Sequence, residues 1–566
     1  MDSAIFTIER DKKPEYGFVL KYWLILLSSI CSVVYTTVLC TGAVIHHWWY
    51  KLRGKTRYKP PDPEARNHQY RPRIAYKNID NMKATPDLRY YLKQLDLDLE
   101  EHSVTTPDGF ILVLHRIIDP RETQEQRDAR SPILMQHGLL SCSGTWIVTG
   151  RNSLAYYFHE AGYDVWMGNN RSWFRAQSAV LKSNLYNEEM YWKWGVKELA
   201  YYDLPTFINS TIKMKPKHDK LILVGHSQGG LQSFLMLRNP MMDDVHAKVK
   251  MFVSLSAAVY PGYLFHTRNF LKILTWMSRT MWKVVFGFCA ILRNLCLMRY
   301  YMASTWIFAK LSYYMFKFLF GWTNRNWGPN DKIWHFCFIF NMSYVSVELF
   351  QFYVAKFNEF GFVGMLQPKR SFLKSENYSA MGLTKDDSLQ MFPYRQTWFD
   401  ANIKSIVPML VVTGEDDFLV DGHRLTRHMR ECEPRYKEGL NIQHISIPTY
   451  NHLDVCWAED VIGTIAYPMQ DMLKRLSQTH HAVAASKETV EAKAPHAPPL
   501  KQERKLANGD AASHKPRHIK KFVSKSPEPL KATTALEVNN VPKDIDIADI
   551  SLNNGPENAP IMVKVS

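Results

Sequence analysis

Hydrophobic and polar residues alternate along the 566-residue chain in four distinct textures. The first is a run from Tyr22 to Tyr50 that contains no Lys, Arg, Asp or Glu. A helix needs about 20 apolar residues to cross a bilayer, and this run exceeds that length. Trp23, Trp48 and Trp49 stand near its ends, where amphipathic rings favour the membrane–water interface. Four acids accompany four bases in residues 1–50, unlike the basic start of a cleaved signal peptide. The pattern predicts a short N-terminal segment (1–21) followed by a retained membrane anchor over 22–50.

The second texture begins near residue 78, where short apolar runs alternate with amphipathic stretches. LDLDLEEHSVTTPDGFILVLHRI (95–117) places an Asp-Gly turn between two β-like runs, a hairpin signal. PILMQ (132–136), YDVWMG (163–168), KLILVG (220–225), VKMFVSLS (249–256), VPMLVVTG (407–414) and IQHISI (442–447) read as further strands. Helical patterns lie between several of them, around 153–162, 190–213 and 228–238. Alternating strands and helices predict an α/β fold with a largely parallel sheet covered on both faces. The third texture, 258–332, holds 19 aromatic residues in 75 positions. The fourth, 478–566, has Phe522 as its one aromatic and is rich in Pro, Ala, Lys and Ser. Such a segment buries too little apolar surface to offset chain entropy, which predicts a disordered tail.

Charge sharpens this picture. The formal net charge is +16, from 70 Lys and Arg against 54 Asp and Glu. Residues 78–257 carry 20 bases and 20 acids, and 333–477 carry 14 and 17, so the strand-bearing regions are near neutral. The surplus lies in 51–77, with nine bases and two acids, and in 258–332, with ten and one. The first block is a Pro-punctuated juxtamembrane linker, and its bases favour a cytosolic C-terminal domain. In the second, RNFLKILTWMSRTMWKVV (268–285) spaces Phe270, Leu274, Met277, Met281 and Val284 as one helical face, with Lys272, Arg279 and Lys283 interleaved. A basic amphipathic helix of this kind suits anionic phospholipid headgroups at a membrane or lipid-droplet surface. No zinc-finger spacing or other nucleic-acid motif occurs, so no nucleic-acid partner is expected. The eight cysteines are scattered without metal-ligand spacing, and neither a metal nor a cofactor is expected.

The chemistry is most local at Gly225-His226-Ser227-Gln228-Gly229, between the strand LILV and a helical stretch GGLQSFLML. This is the G-x-S-x-G elbow in its strand–turn–helix context, which lifts a serine Oγ above the sheet at a helix N-terminus. Such a serine needs a base and an acid in the chain order Ser, Asp or Glu, His. LVVTGEDDFLVDG (410–422) supplies Asp417 after a strand, with Asp416, Asp421 and Glu415 as neighbouring alternatives. ISIPTYNHLDVCW (445–457) supplies His452 in a loop after the last strand, whereas His444 falls within that strand. The backbone N–H groups of Gln228, after the nucleophile, and of Leu139, after the strand ILMQ, are the candidate oxyanion donors.

HGLL (137–140), AGYDVWMGNNR (161–171), YYDLP (201–205), GHSQG (225–229), GEDDFLVD (414–421) and YNHLDVCWAEDV (450–461) follow one another in an order that resembles the acid lipase family. The similarity spans roughly residues 85–475 and, with the anchor, looks most like the membrane-anchored steryl ester hydrolases of fungi. It implies an α/β-hydrolase domain over 78–477 in which Ser227, Asp417 and His452 form the triad and Leu139 and Gln228 the oxyanion hole. One departure is Ser172 after Arg171, where many relatives carry glycine. The separation between elbow and acid exceeds what a bare α/β hydrolase needs, so about 258–400 is expected to be a helical cap. An aromatic, Met-rich cap over a serine implies a bulky water-insoluble ester. The resemblance points to steryl esters at a lipid droplet, endoplasmic reticulum or plasma membrane, with triacylglycerol the alternative.

Overall fold

The apolar runs form an eight-stranded sheet: β1 (Asp98–Thr105), β2 (Ile111–Ile118), β3 (Ser131–Gln136), β4 (Tyr163–Asn169), β5 (Leu221–His226), β6 (Val249–Leu255), β7 (Met409–Gly414) and β8 (Ile442–Ile447). They lie in the order β1-β2-β4-β3-β5-β6-β7-β8. Pairing is antiparallel for β1/β2 and β2/β4 and parallel across the rest of the sheet. β5 and β7 are buried along their whole length, as expected of parallel strands covered on both faces. This is the α/β-hydrolase architecture expected from the motif order. The computed structural model describes residues 6–8, 13–54, 70–182, 184–291, 293–358, 360–367, 369 and 390–478. The readings on residues 55–69 of the linker and on the tail beyond 478 lie outside the described residues.

Alternate side chains of the central strands enter two cores. Leu134 and Leu223 face one, and Ile133, Met135, Ile222 and Val224 the other. The N-terminal helix α1 (Phe18–Leu52) precedes the sheet. Helix α2 (Leu154–Glu160) sends Phe158 into the second core. Helices α3 (Leu204–Lys213) and α4 (Gln228–Leu237) send Phe207 and Phe234 into the first.

Between β6 and β7 the chain is largely helical: α5 (Asn269–Trp276), α6 (Arg279–Phe286), α7 (Arg293–Met302), α8 (Trp306–Leu319), α9 (Asp331–Phe340) and α10 (Val347–Val354). The single basic amphipathic helix expected over 268–285 is in fact two. The chain breaks at Met277 and Ser278, and the Ser278 hydroxyl caps α6 by accepting the Met281 N–H at 3.3 Å. The cap resets the helical phase. Leu271 and Leu274 are buried in α5 and Trp282 and Phe286 in α6, while Met281 and Val284, expected on the apolar face, are exposed.

Helix α1 is long and apolar enough to cross a membrane. One of its faces packs on this helical region. The His47 ring stacks on Tyr314 with centroids 3.9 Å apart, and Tyr35 meets Phe286 edge-on. Gly42 of α1 faces the Phe318 ring of α8, where an added Cβ would meet it at an ordinary contact distance of 3.4 Å. Val34 and Val38, on the other side of α1, are exposed.

Candidate active site

Ser227 joins the end of β5 to the start of α4, with φ 53° and ψ −114°. A non-glycine residue in this left-handed region is strained, and the surroundings must hold it there. They do so through backbone hydrogen bonds. The Ser227 N–H donates to the Leu255 carbonyl at 3.0 Å, and its own carbonyl accepts from Leu231 and Ala258 at 2.9 and 3.0 Å. The two flanking glycines are steric requirements. A Cβ on Gly225 would lie 2.7 Å from the Gly229 backbone, and one on Gly229 would lie 2.2 Å from the Gln136 carbonyl oxygen.

The structure brings His452 and Asp417 to this serine. His452 Nε2 lies 2.8 Å from Ser227 Oγ, and His452 Nδ1 lies 2.8 Å from Asp417 Oδ2. The other Asp417 oxygen accepts the N–H groups of Leu419 and Val420 at 3.1 and 3.3 Å, which fixes the carboxylate. The neighbouring acids are occupied differently. Asp416 is half-exposed and faces Arg325 at 3.9 Å. Asp421 caps the helix α11 (Gly422–Glu431) by accepting the Arg424 N–H, and Glu415 accepts the Ser446 hydroxyl. His444 lies in β8 and pairs with Glu438. A hydroxyl, an imidazole and a carboxylate in one hydrogen-bonded line pass a proton from oxygen to ring nitrogen while the carboxylate holds the tautomer.

Leu139 follows Gly138 in the loop after β3, and Gln228 follows Ser227 at the start of α4. A Cβ on Gly138 would sit 3.0 Å from Ser227 Cβ, so glycine lets the loop after β3 close on the serine. Among the described residues, no protein acceptor takes the backbone N–H of Leu139 or of Gln228. Two such free donors at a buried site meet the requirement for holding an oxyanion.

Three further contributors carry no mark in the sequence. His226, the variable residue of the elbow, is buried and its pKa is pushed down to about 3 by that burial, with His452 beside it as a smaller cause. Its neutral ring places Nε2 2.9 Å from the His452 carbonyl oxygen, so Nε2–H donates and holds the histidine loop. Trp322 lies nearly parallel to the His452 ring, with an interplanar angle of 15° and centroids 5.6 Å apart. Asp454 accepts the Asn451 N–H at 2.7 Å, Asn326 Nδ2 at 2.8 Å and the Trp327 indole N–H at 2.7 Å. Asn326 and Trp327 belong to the segment between β6 and β7, so Asp454 ties the His452 loop to it. Burial pushes the Asp454 carboxyl up to about 7 against these three donors. His226 lies 226 residues from His452, and Asn326 and Trp327 lie 128 and 127 residues from Asp454, so no local motif marks these contacts.

The Arg171-Ser172 departure also has a structural setting. Arg171 is buried between Asp203 and Asp108, at 2.7 Å from each. This joins the AGYDVWMGNNR and YYDLP motifs to the β1–β2 hairpin. Ser172 is buried, and its carbonyl accepts the Tyr344 N–H at 3.0 Å.

Ser227 and His452 open into an apolar cavity of about 250 Å3, also bounded by Leu139, Phe308, Met315 and Trp322. Among the described residues no cluster of His, Cys, Asp and Glu has the geometry to hold a metal.

A parallel-sheet elbow serine with a histidine and a carboxylate in line defines a site of the α/β-hydrolase class. Residues 88–150 match the family model described as a partial alpha/beta-hydrolase lipase region, and residues 131–288 match that of the alpha/beta hydrolase fold. Sterol esterase 2 of Saccharomyces cerevisiae is 33% identical over 419 residues, covering 70% of this chain and 73% of that protein. Lipase member K of Homo sapiens is 36% identical over 214 residues, covering 37% and 51%. Gastric triacylglycerol lipase of Bos taurus is 27% identical over 383 residues, covering 67% and 89%. The chain belongs to the lipase family of α/β hydrolases. It is a carboxylic-ester hydrolase.

Proposed function

We propose that the protein is a membrane-anchored serine lipase that cleaves steryl esters to free sterol and fatty acid. The observation that carries this is the Ser227–His452–Asp417 line opening into an apolar cavity. Ser227 Oγ adds to the ester carbonyl carbon while its proton passes to His452 Nε2. The backbone N–H groups of Leu139 and Gln228 hold the resulting oxyanion. Its collapse breaks the bond to the alcohol oxygen, which leaves as sterol carrying the His452 proton. Water then adds to the acyl-enzyme as His452 takes its proton, the fatty acid departs, and Ser227 Oγ regains the proton.

The choice of a sterol is supported by the similarity to a protein named sterol esterase, and by the apolar walls of the cavity. Anchoring is supported by the length and composition of α1. The basic blocks after the anchor and in 258–332 suit anionic headgroups of the surface that holds the substrate. Division of the chain into anchor, linker, catalytic domain with cap, and tail belongs to the same reading.

Ser227→Ala in the full-length protein tests the mechanism. The variant loses hydrolysis by roughly a thousandfold or more and loses labelling by a fluorophosphonate. Retained labelling overturns the assignment of Ser227. A panel of steryl esters, triacylglycerols and short esters tests the substrate, and faster turnover of triacylglycerol replaces the steryl-ester reading.

A further inference from the structure

Helix α1 does more than lie beside the catalytic unit. The cavity that contains Ser227 and His452 is also lined by Tyr35, Thr36, Leu39 and Cys40 of α1. These positions are spaced i, i+1, i+4 and i+5, which is one face of a helix. They begin at Tyr35, the middle residue of Phe18–Leu52. Trp23 lies on one side of them along the helix and Trp48 on the other. If α1 spans a bilayer, this face therefore sits at the depth of the hydrocarbon chains.

A second observation points to a ligand. Thr36 is 6% exposed, and its hydroxyl has no hydrogen-bond partner among the described residues. A threonine in a helix ordinarily donates to the carbonyl of the preceding turn. The hydroxyls of Ser343 and Tyr353 are also buried, line the same cavity and have no partner among the described residues. Buried hydroxyls without partners are uncommon and costly. Here three of them belong to residues, from three separate segments, that line one apolar space leading to the nucleophile. A rotation of any of these hydroxyls towards that space would let an oxygen of a bound lipid ester or of its released alcohol supply the missing partner.

We infer that the membrane helix forms one wall of the substrate site, with Thr36 and Leu39 as specificity-determining contacts for the hydrophobic part of the ester. This rests on the lipid-ester reading above. A water-insoluble ester held in the bilayer then reaches Ser227 past the helix without crossing water.

The test compares two faces of the same helix in the full-length, membrane-inserted protein. Leu39→Trp fills the cavity, and Val38→Trp adds the same bulk on the exposed face. The added ring takes space that the hydrophobic part of the ester would occupy, so Leu39→Trp is expected to lower turnover of a long-chain bulky ester about tenfold. Turnover of p-nitrophenyl acetate falls by a smaller factor, Ser227 is still labelled by the fluorophosphonate, and Val38→Trp, on the exposed face, changes neither ester class. Leu39→Ala serves should the tryptophan variant fail to fold: it enlarges the cavity and shifts preference towards bulkier esters. An unrelated span in place of 22–50 is expected to keep membrane fractionation and short-ester activity but lose the bulky ester. The inference is overturned if that chimera hydrolyses the bulky ester as wild type does, or if the residue 39 and residue 38 variants behave alike. These readouts use whichever long-chain ester the wild type prefers, so failure of the steryl-ester reading is seen separately in the substrate panel.

Discussion

On the sheet side of the cavity, Ser227, Leu139 and Asp417 are placed by backbone. Glycines that tolerate no Cβ and N–H groups that grip Asp417 leave these residues little freedom. On the opposite side, Trp322, Asn326 and Trp327 are placed by side-chain packing: Trp322 stacks on the ring of His452, and Asn326 and Trp327 donate to the carboxylate of Asp454. Backbone placement holds chemistry to a narrow geometry. Packing placement leaves a wall that can be remade for a different substrate, because hydrophobic swaps of similar volume cost little. In the proposed mechanism the reacting groups sit on the first side and the binding surface on the second, which would divide rate from selectivity.

The strongest way to break this division is at the acid. Asp417→Asn leaves the shape intact but no longer holds the productive His452 tautomer, and kcat is expected to fall roughly a thousandfold to ten-thousandfold. Asp416→Asn, one residue away and half-exposed, is expected to leave kcat near wild type. Steady-state kinetics on a soluble short ester measures both. Equal losses in the two variants mean that the backbone does not discriminate between adjacent carboxylates, and the contrast drawn here fails.

This difference also explains what was readable from the chain alone. The elbow, the strand segments and the candidates Asp417 and His452 follow local rules, since a strand, a glycine and a polar side chain stand within a few residues of one another. The opposite wall obeys no such rule. Among 19 aromatic residues in 258–332, nothing local distinguishes Trp322 from its neighbours, because the His452 ring it stacks on is 130 residues further along. The break at Ser278 was masked by an apolar spacing that fits one helix as well as two. A serine can end one helix or cap the next, and only the tertiary burial of Trp282 and Phe286 decides between them.

A smaller effect sharpens the comparison at Trp322. A stacked ring pair contributes about 0.5–1.5 kcal/mol beyond its buried area. Trp322→Ala is therefore expected to lower kcat roughly three- to tenfold, with Ser227 still labelled by a fluorophosphonate. Trp322→Phe keeps a stacking ring and recovers most of the rate. Trp322 acts as a positioning residue through His452, so the alanine variant also moves the pH profile of kcat, which a loss of stability alone does not. A loss as large as that of Asp417→Asn, without recovery in the phenylalanine variant, places the tryptophan among the groups fixed by geometry.

The smallest effect falls on Asp454, where the two sides meet. Its folded pKa, about 7, lies above the ordinary 3.8 because burial disfavours the charge. Folding therefore binds the proton more tightly than the unfolded chain does. The resulting stability is fully present below about pH 3.8 and is lost as pH rises through about 7. Asp454→Asn cannot titrate, and it turns an amide NH2 towards groups that are themselves donors, a penalty independent of pH. The difference in melting temperature between wild type and variant is thus expected to shrink between pH 5 and 8 and to level off above that. Thermal melts across this range measure it. A difference that widens with pH means that the three donors outweigh burial, so that the carboxylate is charged in the fold and Asn326 and Trp327 clamp the His452 loop as partners of a buried anion.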